Sequence, residues 1–361
     1  MRRITIFLLL LLVSIVHSDY HDGVTMRYVH AMTSCDETLD GDRVRVFRCL
    51  GGQKENGDGG HQRMTLDPFL IFDAYRNTER SQFEKGFPAH PHRGFLELRY
   101  IVAGSLAHND SCGHRGVTTN GGVQALFTGR GIVHEELPVH PDAIDNSVDC
   151  DSSEKDQRCN FLSQQTLDTQ NHFRGFQIWV NVPNNVRSRA PAYQTYSRAV
   201  FPQYHLAHQA GTVTLFAGRW PGSPTTVPTG PIDSLLDWST GLLFAEIELN
   251  HNLRRGGGDN QWVVINTPRQ QHVLLYVLEG ALIVGDADEE VVTAEIFAFL
   301  GPGEVLRVSC SAASTSACKF IFLTAPRIKE PVIVSGGFVA GSEAEIKAAM
   351  NDLQEGRNTH C

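Results

Sequence analysis

His90-Pro91-His92 sets two imidazoles two residues apart, and His134-Glu135-Glu136 sets an imidazole and a carboxylate at the same interval. On an extended chain that interval puts both side chains on one face, about 6.6 Å apart along the strand, with Glu135 pointing away. Two such pairs on neighbouring strands bring together three neutral nitrogens and one carboxylate. This donor set suits a borderline divalent metal and leaves coordination positions open for a substrate. Taken alone an H-x-H carries little, so the surrounding chain has to decide.

The elements that position these residues are expected to be strands. With 33 glycines, 16 prolines and many short β-branched runs in 361 residues, the chain favours strands and turns. Its length is more than one domain usually needs. In the first half, strands are expected at Arg43 to Leu50, Leu66 to Ala74, Leu96 to Ala103, Val123 to Thr128, Ile132 to Leu137 and Phe176 to Val182. Residues 139–174 turn acidic and polar and are expected to form a surface insertion. Asn184 to Tyr196 contains Pro191 and lacks apolar periodicity, which marks a connection between two domains. A second strand-rich block follows at Val213–Ala217, Leu242–Leu249, Val273–Val284, Glu295–Leu300, Val305–Cys310 and Lys319–Leu323. Only Ser342 to Leu353 reads as a convincing helix. Ser342 is its N-cap, Glu343 and Glu345 occupy the first turn, and Ile346, Ala349, Met350 and Leu353 share a face.

Composition narrows the setting. Hydrophobic content of 41% and charged content of 20% are those of a soluble globular protein. A net charge of −9 and a pI near 6.0 give no footprint for nucleic acid or an anionic membrane, and a monomer is expected. Arg2 and Arg3 precede an apolar run from Ile4 to Val16, so residues 1–18 read as a secretory signal peptide, an uncleaved anchor being the alternative. The expected location is the secretory pathway, in the ER lumen or outside the cell, with no membrane contact once the segment is cleaved. Eight cysteines agree with export. Cys150/Cys159 and Cys310/Cys318 each flank a short polar loop and are the first pairs expected to bridge. Asn109-Asp110-Ser111 makes Asn109 the expected N-glycosylation site.

The flanks of the two histidine pairs add specificity. From Gly86 the order is G-x3-His90-x-His92-x4-Glu97-x6-Gly104, followed by Gly129-Arg-Gly131-x2-His134-x-Glu136. This resembles the two signature motifs of the cupin superfamily. More narrowly, Phe87-Pro-Ala-His90-Pro-His92-Arg-Gly-Phe95 and Gly129-Arg-Gly-Ile-Val-His134-Glu-Glu136-Leu-Pro138 resemble the pirin family. Leu66-Asp-Pro-Phe-Leu70, Cys112-Gly-His114, Gln177-Ile-Trp-Val-Asn181 and Glu330-Pro-Val-Ile333 support the likeness, which runs from about Arg43 to about Asn358.

The resemblance implies an all-β fold of two tandem cupin (double-stranded β-helix) barrels with a few short helices, one near the C-terminus. It divides the chain into residues 19–190, the metal-binding barrel, and 191–361, a degenerate barrel with the C-terminal helix. It also implies iron as Fe(II)/Fe(III), held by His90, His92, His134 and Glu136. Ligand softness alone admits Zn, Cu, Mn or Ni as well. Glu97 is the competing carboxylate, at the ligand position of the general cupin motif; it is expected to be a polar strand residue facing outward. In the second half, matching Gly280 to Gly104 puts Asn266 and Pro268 at the first two histidine positions. Matching Gly301-Pro-Gly303 to Gly129-Arg-Gly131 puts Leu306 at the third, so this half is expected to have lost its metal and to pack against the other. His108 and His114 are expected to be structural or exposed.

Two function classes follow. One is a dioxygenase of the quercetin 2,3-dioxygenase type, binding a flavonol-like substrate at the metal, with Glu136 as ligand and as base for the substrate hydroxyl. The other is a redox-sensing or binding module without turnover. Export weighs against the nuclear role of some pirins.

Overall fold

The computed structural model describes residues 20–21, 24–51, 65–139, 172–221, 223, 229–235, 240–251, 262–285 and 289–357. The proposed signal segment, Cys150, Cys159 and nearly all of the insertion lie outside the described residues. Among the described residues the fold is all-β with one α-helix, Glu343–Gln354.

Each half pairs a large sheet with a four-stranded one. In the N-terminal half the large sheet runs, in spatial order, Ala192–Tyr196, Val123–Phe127, Phe95–Ala103, Phe173–Asn181, Phe69–Asn77, Val44–Leu50 and Asp36–Asp40. Its companion sheet runs Arg115–Thr118, Leu106–Asp110, Ile132–Pro138 and Phe87–His92. The second half repeats the plan, with Val263–Asn266, Val305–Cys310, Ala281–Val284 and Glu290–Thr293 as its smaller sheet. The expected strand Val273–Val284 is two strands in different sheets, His272–Glu279 and Ala281–Val284. The corner falls at Gly280, where φ is 80° and a Cβ would meet the Cys318 sulfur at 2.8 Å.

The large sheets of the two halves pack together through one apolar core. Leu96, Leu98 and Tyr100 from the first half meet Phe216, Phe244 and Tyr276 from the second. The Phe72 ring lies 5.2 Å from that of Phe176, 5.7 Å from Tyr276 and 5.0 Å from Phe297. Polar contacts fix the register between the halves: Tyr100 donates to Glu246 at 2.5 Å, and Arg76 Nε donates to the Tyr276 hydroxyl at 2.8 Å.

Both chain ends cross between the halves. Val29–Thr33 pairs with Phe297–Leu300 and so extends the large sheet of the second half. Ala192–Tyr196, expected to be part of an irregular connection, is a strand paired with Val123–Phe127 of the first half. At the other end, the hairpin of Ile333–Ser335 and Phe338–Ala340 returns to the first half. There Arg93 N donates to Gly337 O at 3.1 Å, Val339 N donates to Arg93 O at 2.9 Å, and Val339 packs with Leu70, Ile71, Phe95 and Trp179. The helix sits on this hairpin through Ile346 and Ala349, with the Ser342 side chain capping Glu345 N at 3.3 Å. Met350, expected on the buried face, is 38% exposed.

Cys310–Cys318 is bridged as expected, and Cys35–Cys49 forms a second disulfide across the Asp36–Asp40/Val44–Leu50 hairpin. Cys112 is also disulfide-bonded.

Candidate metal centre

The strands Phe87–His92 and Ile132–Pro138 are antiparallel neighbours, and His134 stands directly opposite His90. The interval of two works as expected: His134 and Glu136 are buried, while Glu135 points away and accepts from Asn109 Nδ2 at 3.1 Å. Asn109, the sequon residue, lies on the strand Leu106–Asp110 and also accepts from Arg115 Nε at 3.3 Å.

His90 Nε2 is 3.1 Å from His92 Nε2 and 3.0 Å from His134 Nε2. The far side of each ring sets its tautomer. Pro88 O lies 2.8 Å from His90 Nδ1, and Gly337 O lies 3.3 Å from His92 Nδ1. A carbonyl can only accept, so each Nδ1 carries the proton and each Nε2 presents a bare lone pair. Burial holds His90 and His92 down to about 4 and pushes His134 well below the ordinary histidine value, so all three are neutral at pH 7. Three lone pairs facing one another at about 3 Å repel unless a cation lies among them. The residues therefore fit a mononuclear divalent metal.

Glu97 is not outward-facing. Its side chain is buried, and its Oε2 lies 3.7 Å from both His92 Nε2 and His134 Nε2. The expectation failed because the outer face of Phe95–Ala103 is not in water. Leu96, Leu98 and Tyr100 on that face meet the other half, leaving Glu97 and Arg99 to point into the barrel. Neither oxygen of Glu97 accepts a hydrogen bond.

Glu136 is also buried and lies close enough to His134 and His108 for the three to share an ion. Its Oε1 accepts from Gln124 Nε2 at 2.5 Å, and its Oε2 contacts the Arg99 guanidinium. Burial pushes Glu136 up to about 8, with Arg99 opposing and Glu97 adding to the rise. Arg99 is itself fully enclosed: it is 3.2 Å from Glu97 Oε1, donates to the Tyr75 hydroxyl and stacks 4.4 Å over the Phe87 ring.

His108, expected to be structural or exposed rather than a ligand, is buried beside the site. Its Nδ1 lies 3.5 Å from His134 Nδ1, and its Nε2 lies 2.9 Å from Asp110 Oδ2, which also accepts from His114 Nδ1 at 2.9 Å. One tautomer set satisfies this chain: His134 donates to His108, and His108 donates to the Asp110 carboxylate. That arrangement keeps His134 Nε2 bare. The H-x-D-x3-H spacing over residues 108–114 was the available signal.

The histidines open on a cavity of about 710 Å³ lined by His90, His92, Arg99, Gln177, Trp179 and Gly337, among others. Val332, Val334 and Gly337 come from the C-terminal hairpin, which both roofs this cavity and holds His92 through the Gly337 carbonyl. Arg93 Nη1 donates to Asp352 of the helix behind it at 2.8 Å and so fastens that helix. Asp352→Asn is therefore expected to raise the rate of limited proteolysis within residues 332–354 by about two- to fivefold, the scale of a partly screened ion pair. Mass mapping of the fragments reads this out, and an unchanged cleavage rate there would show that the pair does not hold the roof.

The second half shows how such a site is lost. Leu306 stands at the matched position, but its cross-strand partner is Ile265, one residue before Asn266, which pairs with Val305 and is exposed. The apolar pair Ile265/Leu306, both fully buried, thus replaces His90/His134.

The fold and this histidine cluster define a protein of two tandem cupin barrels with a metal-binding N-terminal half. The family model for pirin matches residues 51–180, and that for the pirin C-terminal cupin domain matches residues 259–359. The chain belongs to the pirin family. It is 31% identical over 325 residues to a pirin-like protein of Caulobacter vibrioides, covering 89% of this chain and 95% of that one. A crystal structure of quercetin 2,3-dioxygenase from Acinetobacter baumannii matches with a TM-score of 0.67 at 23% identity, covering 92% of this chain and 98% of that one. A bacterial pirin from Escherichia coli in complex with nickel(II) matches with a TM-score of 0.52 at 14% identity, covering 84% of this chain and 100% of that one.

Proposed function

We propose that the N-terminal barrel holds a single divalent metal, iron in the first instance, through His90, His92 and His134 with one carboxylate. We further propose that it uses this metal in a quercetin 2,3-dioxygenase-type reaction on a flavonol-like substrate. The observation that carries this reading is the convergence of three proton-free Nε2 atoms beside a cavity that His90 and His92 line. A bound metal would supply Lewis acidity toward an ionised hydroxyl–carbonyl pair and a place for dioxygen to react. The protein's own part is positioning. Trp179 and Leu70 give a flat aromatic substrate an apolar wall, Gln177 supplies an amide, and Arg99 presents positive charge to an ionised hydroxyl. The C-terminal hairpin adds Val332 and Val334 to the apolar wall.

The likeness to the Acinetobacter baumannii enzyme supports the reaction class, and the nickel-bound relative supports a metal in this barrel. Disulfides at Cys35–Cys49 and Cys310–Cys318 support residence in an oxidising compartment, consistent with residues 1–18 acting as a signal peptide. The test is dioxygen uptake with quercetin by protein loaded in turn with Fe(II), Ni(II), Mn(II) and Cu(II). Uptake by at least one form, lost in His90→Ala, is the expected result. No uptake by any form with any flavonol tried would sink the catalytic reading.

A further inference from the structure

We propose that Asp110, acting through His108, is a positioning residue for His134 and lends that ring negative charge, so that the centre favours the more highly charged state of its metal. This rests on the reading above that a metal occupies the histidine cluster.

The three histidines are backed differently. Behind the Nδ1 atoms of His90 and His92 stand the neutral carbonyls of Pro88 and Gly337. Behind that of His134 stands a carboxylate, one ring further out. His134 Nδ1 lies 3.5 Å from His108 Nδ1, and His108 Nε2 lies 2.9 Å from Asp110 Oδ2. The strand Leu106–Asp110 is placed to do this. It pairs with Ile132–Pro138 so that Asp110 stands opposite His134 and His108 opposite Glu136. The interval of two turns His108 and Asp110 to one buried face.

Asp110 is held as an anion. Its Oδ1 accepts from the backbone N–H of Cys112 at 2.9 Å and of His114 at 3.0 Å. Its Oδ2 accepts from His114 Nδ1 at 2.9 Å as well as from His108. A carboxyl group that takes four donors carries no proton of its own. The His108 ring is fixed too, because Tyr193 stacks on it with 4.0 Å between centroids and 10° between planes. Since a carboxylate only accepts, His108 carries its proton on Nε2 and leaves Nδ1 to accept from His134. Such a backing carboxylate orients the ligating ring and makes it a stronger donor. The same negative charge attracts Fe(III) more than Fe(II).

The experiment is a spectroelectrochemical titration of the full-length, iron-loaded chain, with Fe(II) affinity measured beside it by competition with a chelator. Asp110→Asn keeps the shape and the Oδ1 acceptor but removes the charge and turns an amide donor towards His108. His108 must then carry its proton on Nδ1, where it meets the His134 N–H donor to donor. Partners of this kind change metal affinity about 10–100-fold. Asp110→Asn is expected to cost about tenfold more for Fe(III) than for Fe(II), which is a rise in potential of about 59 mV. His108→Phe keeps a ring on Tyr193 but cuts the link. It is expected to raise the potential similarly, and it carries the test should Asp110→Asn not fold. In the double variant, Asp110→Asn is expected to add nothing to His108→Phe. His114→Ala keeps the Asp110 charge and the backbone donors, and is expected to stay at the parent's potential. An unchanged potential in both Asp110→Asn and His108→Phe overturns the assignment. So does an Asp110→Asn shift that persists in full beside His108→Phe, or an equal shift in His114→Ala, since either means that Asp110 merely holds its loop. Failure of the unsubstituted chain to bind iron would instead defeat the metal reading, and this assignment with it.

Discussion

Arg99→Met is expected to destabilise the metal-free protein by about 3–5 kcal/mol, the usual consequence of removing one partner from a buried charge network. The side chains of Glu97 and Glu136 are fully buried, and Arg99 is the cation they share. Without it, two carboxylates remain in a closed space, with Gln124 alone donating to Glu136. The sign of the pH dependence follows from that. Glu136 already sits up at about 8 because burial disfavours its charged form, and losing Arg99 raises it further. A carboxylate raised above its unfolded value near 4.5 binds its proton more tightly in the folded state. The penalty is therefore full above the folded value and relieved as pH falls towards 4.5. Urea unfolding at pH 8 and pH 5.5 checks both points. A loss under about 1 kcal/mol at pH 8, or a larger loss at pH 5.5, would show that the guanidinium is not what neutralises the pair.

Phe72→Ala is the second large effect, again about 3–5 kcal/mol, from lost burial plus the cavity left behind. The ring has no solvent exposure to speak of and touches Phe176 in its own half and Tyr276 and Phe297 in the other. Its removal opens the middle of the shared core, where neighbouring large rings cannot all slide in. The histidine cluster lies on the opposite face of the N-terminal sheet, so the metal stoichiometry of the folded variant should be unchanged. Unfolding measured together with metal content separates these outcomes. Loss of metal at full stability would contradict the arrangement, as would a destabilisation below about 1 kcal/mol.

Much of the layout was legible because it depends on local patterning. The strand expected at Ile132 to Leu137 appears as Ile132–Pro138, and that expected at Leu96 to Ala103 appears as Phe95–Ala103. The helix begins at Ser342's cap, as its acidic first turn indicated. The Ala192–Tyr196 strand was missed because its pattern is weak: no residue in it is fully buried, and it is held by pairing to Val123–Phe127. The loss of the second site was also legible, but with an error of one position. Gly280 and Gly301 gave motif offsets that differ by more than the strand pairing does, and a slip of one residue turns every side chain to the other face.

The sequence by itself determined the three histidines and their orientation, because an interval of two on a strand leaves no freedom about which side chains share a face. It also determined that the second half lacks them. Tertiary structure alone decided which way the Glu97 carboxylate points. Alternation along Phe95–Ala103 reads as apolar-in and polar-out only if one face meets water, and here the second half covers that face, which sends Glu97 and Arg99 inward to the metal site. Folding likewise brought His108 behind His134 and carried Gly337, 245 residues away in the chain, to the ring of His92. Long-range contacts of that kind arise from how the two halves pack and where the chain ends return, which no local spacing records.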